Sequence, residues 1–185
     1  MPVKAVMVLA PGFEETEAVA TIDLLRRAGV ELTLLALAGR EVTGSHGISL
    51  RADQPFAGYR EEFEAVILPG GMPGAKNLGE SRELLELLEV SFRKGILCAA
   101  ICAAPVVLAK AGILKGKRAA CYPGYESQLE GALCSEETVV RDGNIITSRG
   151  VGTAIAFALE IIDTLLGGDK ALQVAKAVLF PWKRK

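Results

Sequence analysis

The chain has 185 residues, and its 21 Lys and Arg against 22 Asp and Glu give a formal net charge of -1 at pH 7. That balance leaves no basic face for nucleic acid, and the terminal Lys183-Arg184-Lys185 run is too short to make one and reads as a solvated tail. Four cysteines without a CxxC pair, and a single distant histidine (His46), give neither a disulfide framework nor a zinc site.

Lys4–Leu9 is a short β-branched, apolar run ending at Pro11-Gly12. Glu14–Arg27 follows with Ala18, Val19, Ile22 and Leu25 at helical spacing and stops at Gly29, and Leu32–Leu37 reads as the next strand. Strand, helix and strand in that order are a βαβ unit with a right-handed crossover and a parallel sheet. The hydrophobic half of the composition, rich in alanine and poor in aromatics, suits strands that are apolar on both faces. Between Arg40 and Ala52 the pattern changes to short alternating pieces around Gly44-Ser45-His46-Gly47, a hairpin or an edge excursion.

Ala65–Leu68 is a buried strand closed by Pro69-Gly70-Gly71. A short helix over Ala75–Leu78 precedes a longer one over Ser81–Lys94, with Leu84, Leu85, Leu87 and Leu88 on its apolar side and Gly95 as its stop. Ile96–Ala100 is a strand, Ala103–Ala111 a helix, and Arg118–Cys121 a short strand. Thr138–Arg141 and Asn144–Ser148 flank Asp142-Gly143, a strong hairpin signal. Gly152–Leu166 and Asp169–Leu179 end the chain as helices. Without a linker or repeat, residues 1–185 read as one α/β domain. Met1 leads directly into a strand and no apolar run reaches the ~18 residues of a membrane span, so a reduced, cytoplasmic setting is the expectation.

Three segments carry chemical potential. Cys102 falls where an apolar strand meets a helix marked by Pro105, and its small neighbours Ala100, Ala103 and Ala104 let the backbone turn sharply. A thiol there gains from the helix dipole and nearby amides, which lower its pKa. The plain alternative is a buried cysteine acting as a small hydrophobe, which suits Cys98 inside the strand. The turn Gly12-Phe13-Glu14-Glu15-Thr16-Glu17 lies at the carboxyl end of the first strand, where open α/β sheets bind ligands. Its acids complement a helix dipole, and this accounts for Glu14 and Glu15; Glu17, one turn on from Glu14, can point inward and hold a raised pKa. Pro69-Gly70-Gly71-Met72-Pro73-Gly74 is either an amide pocket for an oxyanion or a tight turn needing positive φ, and it is not a P-loop.

Together, Gly12-Phe13-Glu14-Glu15-Thr16-Glu17, Leu68-Pro69-Gly70-Gly71, Ala100-Ile101-Cys102-Ala103 and Thr147-Ser148-Arg149-Gly150 resemble the ThiJ/PfpI superfamily. The similarity is to its branch of the Parkinson-associated protein deglycase and bacterial YajL-like proteins. The resemblance implies a flavodoxin-like doubly wound sandwich that forms a homodimer. It implies Cys102 as nucleophile and redox-sensitive group, Glu17 as its buried hydrogen-bond partner, and the Gly71 and Ala103 amides as oxyanion donors beside Gly70. Gly150 and Val151 line the pocket. The position where relatives often carry a histidine matches Tyr122, which would orient substrate through its hydroxyl, and His46 falls at the pocket rim. A Cys–His–acid triad is therefore not expected, and a peptidase is argued against by Ala103 directly after the cysteine. The implied activity is cofactor-free and metal-free. It is a glutathione-independent glyoxalase or deglycase acting on a small aldehyde or dicarbonyl, or on a glycated protein. The competing expectation is a redox-sensing, chaperone-like stress protein using oxidation of Cys102.

Overall fold

The computed structural model describes residues 2–183, so Met1 and the last two residues of the basic tail lie outside the described residues. Eleven strands and six α-helices follow in chain order. They are β1 (Lys4–Leu9), α1 (Glu15–Ala28), β2 (Glu31–Ala36), β3 (Glu41–Thr43), β4 (Ser49–Arg51), β5 (Gln54–Pro55), β6 (Ala65–Leu68), α2 (Gly74–Glu80), α3 (Arg82–Arg93) and β7 (Leu97–Ile101). After them come α4 (Pro105–Lys110), β8 (Arg118–Ala119), β9 (Leu133–Cys134), β10 (Val139–Asp142), β11 (Ile145–Ser148), α5 (Ala154–Leu166) and α6 (Gly168–Ala177).

Seven of the strands form one sheet in the order β10-β11-β7-β6-β1-β2-β5, parallel throughout except for the β10–β11 hairpin at one edge. Alternation along the central strands feeds two separate cores. Met7, Leu9, Ile67, Ala99 and Ile101 face α1, α5 and α6, where Leu25, Phe157 and Ile161 meet them. Val6, Val8, Val66, Leu68, Cys98 and Ala100 face the other layer, where they meet Leu78, Leu84, Leu88, Val107 and Leu108 from α2, α3 and α4. Each strand residue is thus apolar whichever way it points, as a sheet covered on both sides requires. Each fully buried Leu, Ile or Phe contributes about 1.5–3 kcal/mol relative to exposure, so the two cores supply the main drive to fold. Among the described residues no helix is long and apolar enough to cross a membrane.

The expected elements are present, with ends shifted by local chemistry. Glu14 is the N-cap of α1, not its first residue: its carboxylate accepts the Glu17 amide at 2.6 Å. Ser81 caps α3 in the same way, accepting the Leu84 amide. The helix expected from Ala103 begins at Pro105, because Ala103 and Ala104 are spent on the turn out of β7. The strand expected over Arg118–Cys121 stops at Ala119, paired with β9 (Leu133–Cys134) and not with the main sheet. Two strands have no sequence signal. β5 is two residues long and contains proline, tolerated at the sheet edge, and β9 is two exposed residues without alternation.

Candidate functional site

The carboxyl ends of β1, β6 and β7 lie side by side, and each delivers one part of the site. β7 ends at Ile101, and Cys102 follows with φ of 66°, the left-handed region that side chains seldom occupy. Such a residue costs on the order of 1–3 kcal/mol and persists only where its surroundings hold it. Here the Cys102 N–H donates to the Ser148 carbonyl at 3.0 Å, and its own carbonyl accepts the Tyr122 amide at 2.8 Å. Backbone hydrogen bonds from two directions therefore fix the turn.

Glu17 reaches Cys102 from α1. Its side chain has no exposed surface, and Oε2 accepts the Gly70 amide at 2.8 Å. Oε1 is buried with no hydrogen-bond partner among the described residues, and the Cys102 thiol is the side chain that acts on this carboxyl. Burial raises the Glu17 carboxyl from its ordinary 4.5 to about 7; the Gly70 amide and the thiol oppose the rise and the Glu14 charge adds to it.

Gly70 and Gly71 close the third side. A Cβ on Gly70 would lie 2.5 Å from Cys102 Cβ and 2.7 Å from Glu17 Oε2, so no larger residue fits between the two functional groups. Gly71 sits at φ of 88°, and its amide and that of Ala103 lie beside the Cys102 sulfur and favour its charged form. The lowered thiol pKa expected from a helix N-terminus is not what the structure gives. Burial pushes Cys102 up to about 12, followed by the Glu17 charge and hydrogen bond, while the Gly71 and Ala103 amides oppose. The two groups share one problem: an ionised Glu17 keeps the thiol protonated, whereas a protonated Glu17 removes that charge and offers the sulfur a donor. A thiolate here belongs with a neutral Glu17.

Gly150 and Tyr122 complete the surroundings. A Cβ on Gly150 would approach Tyr122 Cδ2 at 3.3 Å and Glu17 Oε1 at 4.0 Å. The Tyr122 and Val151 side chains are each about half exposed. Cys98 is buried in the β7 core, its thiol pushed up to about 12 by that burial.

His46 is bound to a different acid. In the β3–β4 turn its Nδ1 lies 3.0 Å from Glu15 Oε2, while Glu15 Oε1 accepts the His46 amide at 2.6 Å and the Ile48 amide at 3.3 Å. Glu15 is therefore more than a dipole complement: it is buried, and it latches the turn onto α1. Desolvation alone would raise its pKa, but the His46 side chain and these amides outweigh that and hold it near 2. Glu14, Glu15 and His46 bring potential ligand atoms within 4.8 Å of one another, with each carboxylate already engaged. The role of Glu15 is hidden in the sequence, because its partners lie some thirty residues away in a turn of unspecified placement.

The profile of the DJ-1/PfpI family matches residues 3–164. The chain belongs to that family. It is 44% identical over 183 residues to protein dj-1beta of Drosophila melanogaster, covering 97% of this chain and 98% of that one. It is 40% identical over 178 residues to the Parkinson disease protein 7 homolog of Danio rerio, covering 92% and 94%. The crystal structure of Drosophila melanogaster DJ-1beta superposes with a TM-score of 0.93 at 42% identity, over 98% of this chain and all of that one. Oxidized Toxoplasma gondii DJ-1 superposes with a TM-score of 0.93 at 35% identity, over 97% of this chain and 100% of that one. The doubly wound, flavodoxin-like fold is that of the family.

The raised Glu17 pKa has a measurable consequence. Between about 4.5 and about 7 the folded chain binds more protons at Glu17 than the unfolded chain, so this contribution to stability is complete below 4.5 and is lost as pH rises through about 7. Urea unfolding of the wild type and Glu17→Gln isolates it, since Glu15 and His46 are common to both. The wild type is expected to lose up to roughly 3 kcal/mol relative to Glu17→Gln across that window. A difference independent of pH would mean that Glu17 does not titrate there in the folded chain.

Proposed function

We propose that this protein is a cysteine-dependent enzyme acting on reactive dicarbonyls or their protein adducts, in keeping with the stress-related role of its family. The observation that carries this reading is the placement of Cys102: held at φ of 66°, with a buried carboxyl on one side and two backbone amides on the other. Binding of an aldehyde in the opening beside Tyr122 brings its carbon to the sulfur. The Cys102 thiolate adds to that carbon, the C–S bond forms and the carbonyl π pair moves to oxygen. The Gly71 and Ala103 amides, which face the sulfur beforehand, are placed to stabilise the oxyanion. Glu17, neutral when the thiol is ionised, supplies the proton to that oxygen and can then take one from the carbon of the hemithioacetal. With methylglyoxal, proton transfer to the neighbouring carbonyl carbon gives a lactoyl thioester, and water releases lactate and the thiol. No residue of this scheme requires a cofactor or metal.

The same geometry supports a second reading, a redox sensor with chaperone-like action. A sulfinate at Cys102 would accept hydrogen bonds from the Gly71 and Ala103 amides, and a protonated Glu17 would donate one more. The Toxoplasma gondii relative, whose fold matches this one, is a structure of the oxidized protein. Four free cysteines among the described residues fit a reducing, cytoplasmic setting for either role. A homodimer is part of the same proposal: Val19 on α1 and Ile48 in the β3–β4 turn are exposed apolar residues available to a second copy.

Lactate formation from methylglyoxal without glutathione tests the first reading. Cys102→Ala is expected to abolish turnover and Glu17→Gln to lower it by about 10²–10⁴-fold, the range of general acid–base catalysis; unchanged turnover in Cys102→Ala would overturn it. Mass spectrometry after mild peroxide tests the second, with two-oxygen addition expected at Cys102 alone; uniform oxidation of all four cysteines counts against it. Sedimentation at micromolar concentration should give twice the chain mass, and a monomer would remove the dimer.

A further inference from the structure

Two of the four thiols have no part in the site around Cys102, and they are placed together. β8 and β9 pair in parallel with Ala119 opposite Cys134, and the Ser135 amide donates to the Ala119 carbonyl at 2.8 Å. Cys121 follows two residues after Ala119 and is buried, whereas Cys134 is exposed. The chain between them doubles back through a single 3-10 turn at Glu126–Gln128, and Cys134 Sγ lies 3.7 Å from the Glu126 carbonyl oxygen. Burial raises the Cys121 thiol to about 11, and the charges acting on it are those of Glu126, Cys134 and, in opposition, Arg149. The charge acting on Cys102 is that of Glu17.

We propose that Cys121 and Cys134 form a second redox centre, a dithiol that hydroperoxides convert to an intramolecular disulfide. The exposed Cys134 meets the oxidant first. Its sulfur takes one peroxide oxygen, the O–O bond breaks, and a sulfenic acid and water (or an alcohol) result. The Cys121 sulfur then attacks the sulfenic sulfur; the S–S bond forms and the hydroxyl leaves as water, carrying the thiol proton. Two electrons from the two thiols reduce one peroxide, and nothing else is consumed.

The geometry also says what must move. In a regular parallel pair, a residue two positions beyond its partner lies ~8 Å away between Cα atoms, and a disulfide spans no more than about 7 Å. β9 has only two residues, both exposed, and is tied to the β8 segment by the Leu133 and Ser135 amides, so closing that gap requires β9 to shift against those two bonds. Cys121 directly precedes Tyr122, whose amide holds the Cys102 carbonyl, so closure pulls on a segment that borders the main site.

This proposal does not depend on turnover at Cys102, and the test removes that thiol. Reduced Cys102→Ser protein is exposed to hydrogen peroxide, alkylated, and cut by glutamyl endopeptidase, which separates the two cysteines at Glu126 and Glu130. Without reductant, the Cys121 and Cys134 peptides are expected as one linked species, two hydrogens lighter than their sum. Dithiothreitol should release it, and Cys134→Ser in the same background should abolish it, with Cys98 still open to alkylation after unfolding. Sulfinic acid at either thiol without linkage, or linkage to Cys98, would overturn the proposal.

Discussion

Glu17 is a carboxyl with no exposed surface, carried on the first turn of a helix and met by one backbone amide and one thiol. A charge buried so poorly solvated is expensive, and the folded chain meets that expense by favouring the neutral acid. Much of the surrounding backbone is arranged around this group. Glu14 caps the helix that delivers it, and the Glu14 amide in turn donates to the Gly70 carbonyl at 2.8 Å, tying the helix start to the β6 turn. Gly70 then returns its own amide to Glu17. The closed circuit of Glu14, Gly70 and Glu17 fixes the carboxyl independently of the thiol it serves.

Cys102 depends on that circuit for its ionisation but not for its position. Its backbone is held by Ser148 on β11, the strand next to β7, and by Tyr122 in the loop after β8, and not by α1. Holding the two partners on separate scaffolds keeps their spacing a property of the whole sheet. It also means that their proton is shared between groups that cannot relax toward each other freely. Helix dipoles contribute little here: α4 is six residues long and starts three positions beyond the cysteine. The acid beside the thiol and the two amides are the larger effects.

The layered fold is legible in the sequence because both its signals are local: apolar runs of strand length, and helices with caps and glycine stops. Cys102 is legible at the end of a strand, where an open parallel sheet places its ligands, and Glu17 in the helix start that follows the first strand. The direction of the thiol pKa is not, since it follows from burial and from a carboxyl far away in the chain. The latch made by Glu15 is equally hidden, because its partners belong to a turn whose register no local pattern fixes. β5 and β9 escape because two-residue strands carry no periodicity.

The four cysteines show how little of thiol chemistry resides in the residue itself. Cys98 alternates with its strand neighbours into an apolar layer, where burial disfavours its thiolate and its thiol donates to the Leu88 and Ile96 carbonyls. Cys102, four residues on, has left the strand; a left-handed turn sets it half-buried against the rim of the core, beside the Glu17 carboxyl and two backbone amides. Cys121 is buried again but borders an exposed strand that carries Cys134. Sheet alternation decides the first, a backbone strain held by hydrogen bonds to Ser148 and Tyr122 decides the second, and the pairing of two short strands decides the last pair. The surroundings of each cysteine in this chain are therefore set by backbone geometry, which places the same side chain in a core, at a strained turn beside a buried acid, and at a pair of short strands.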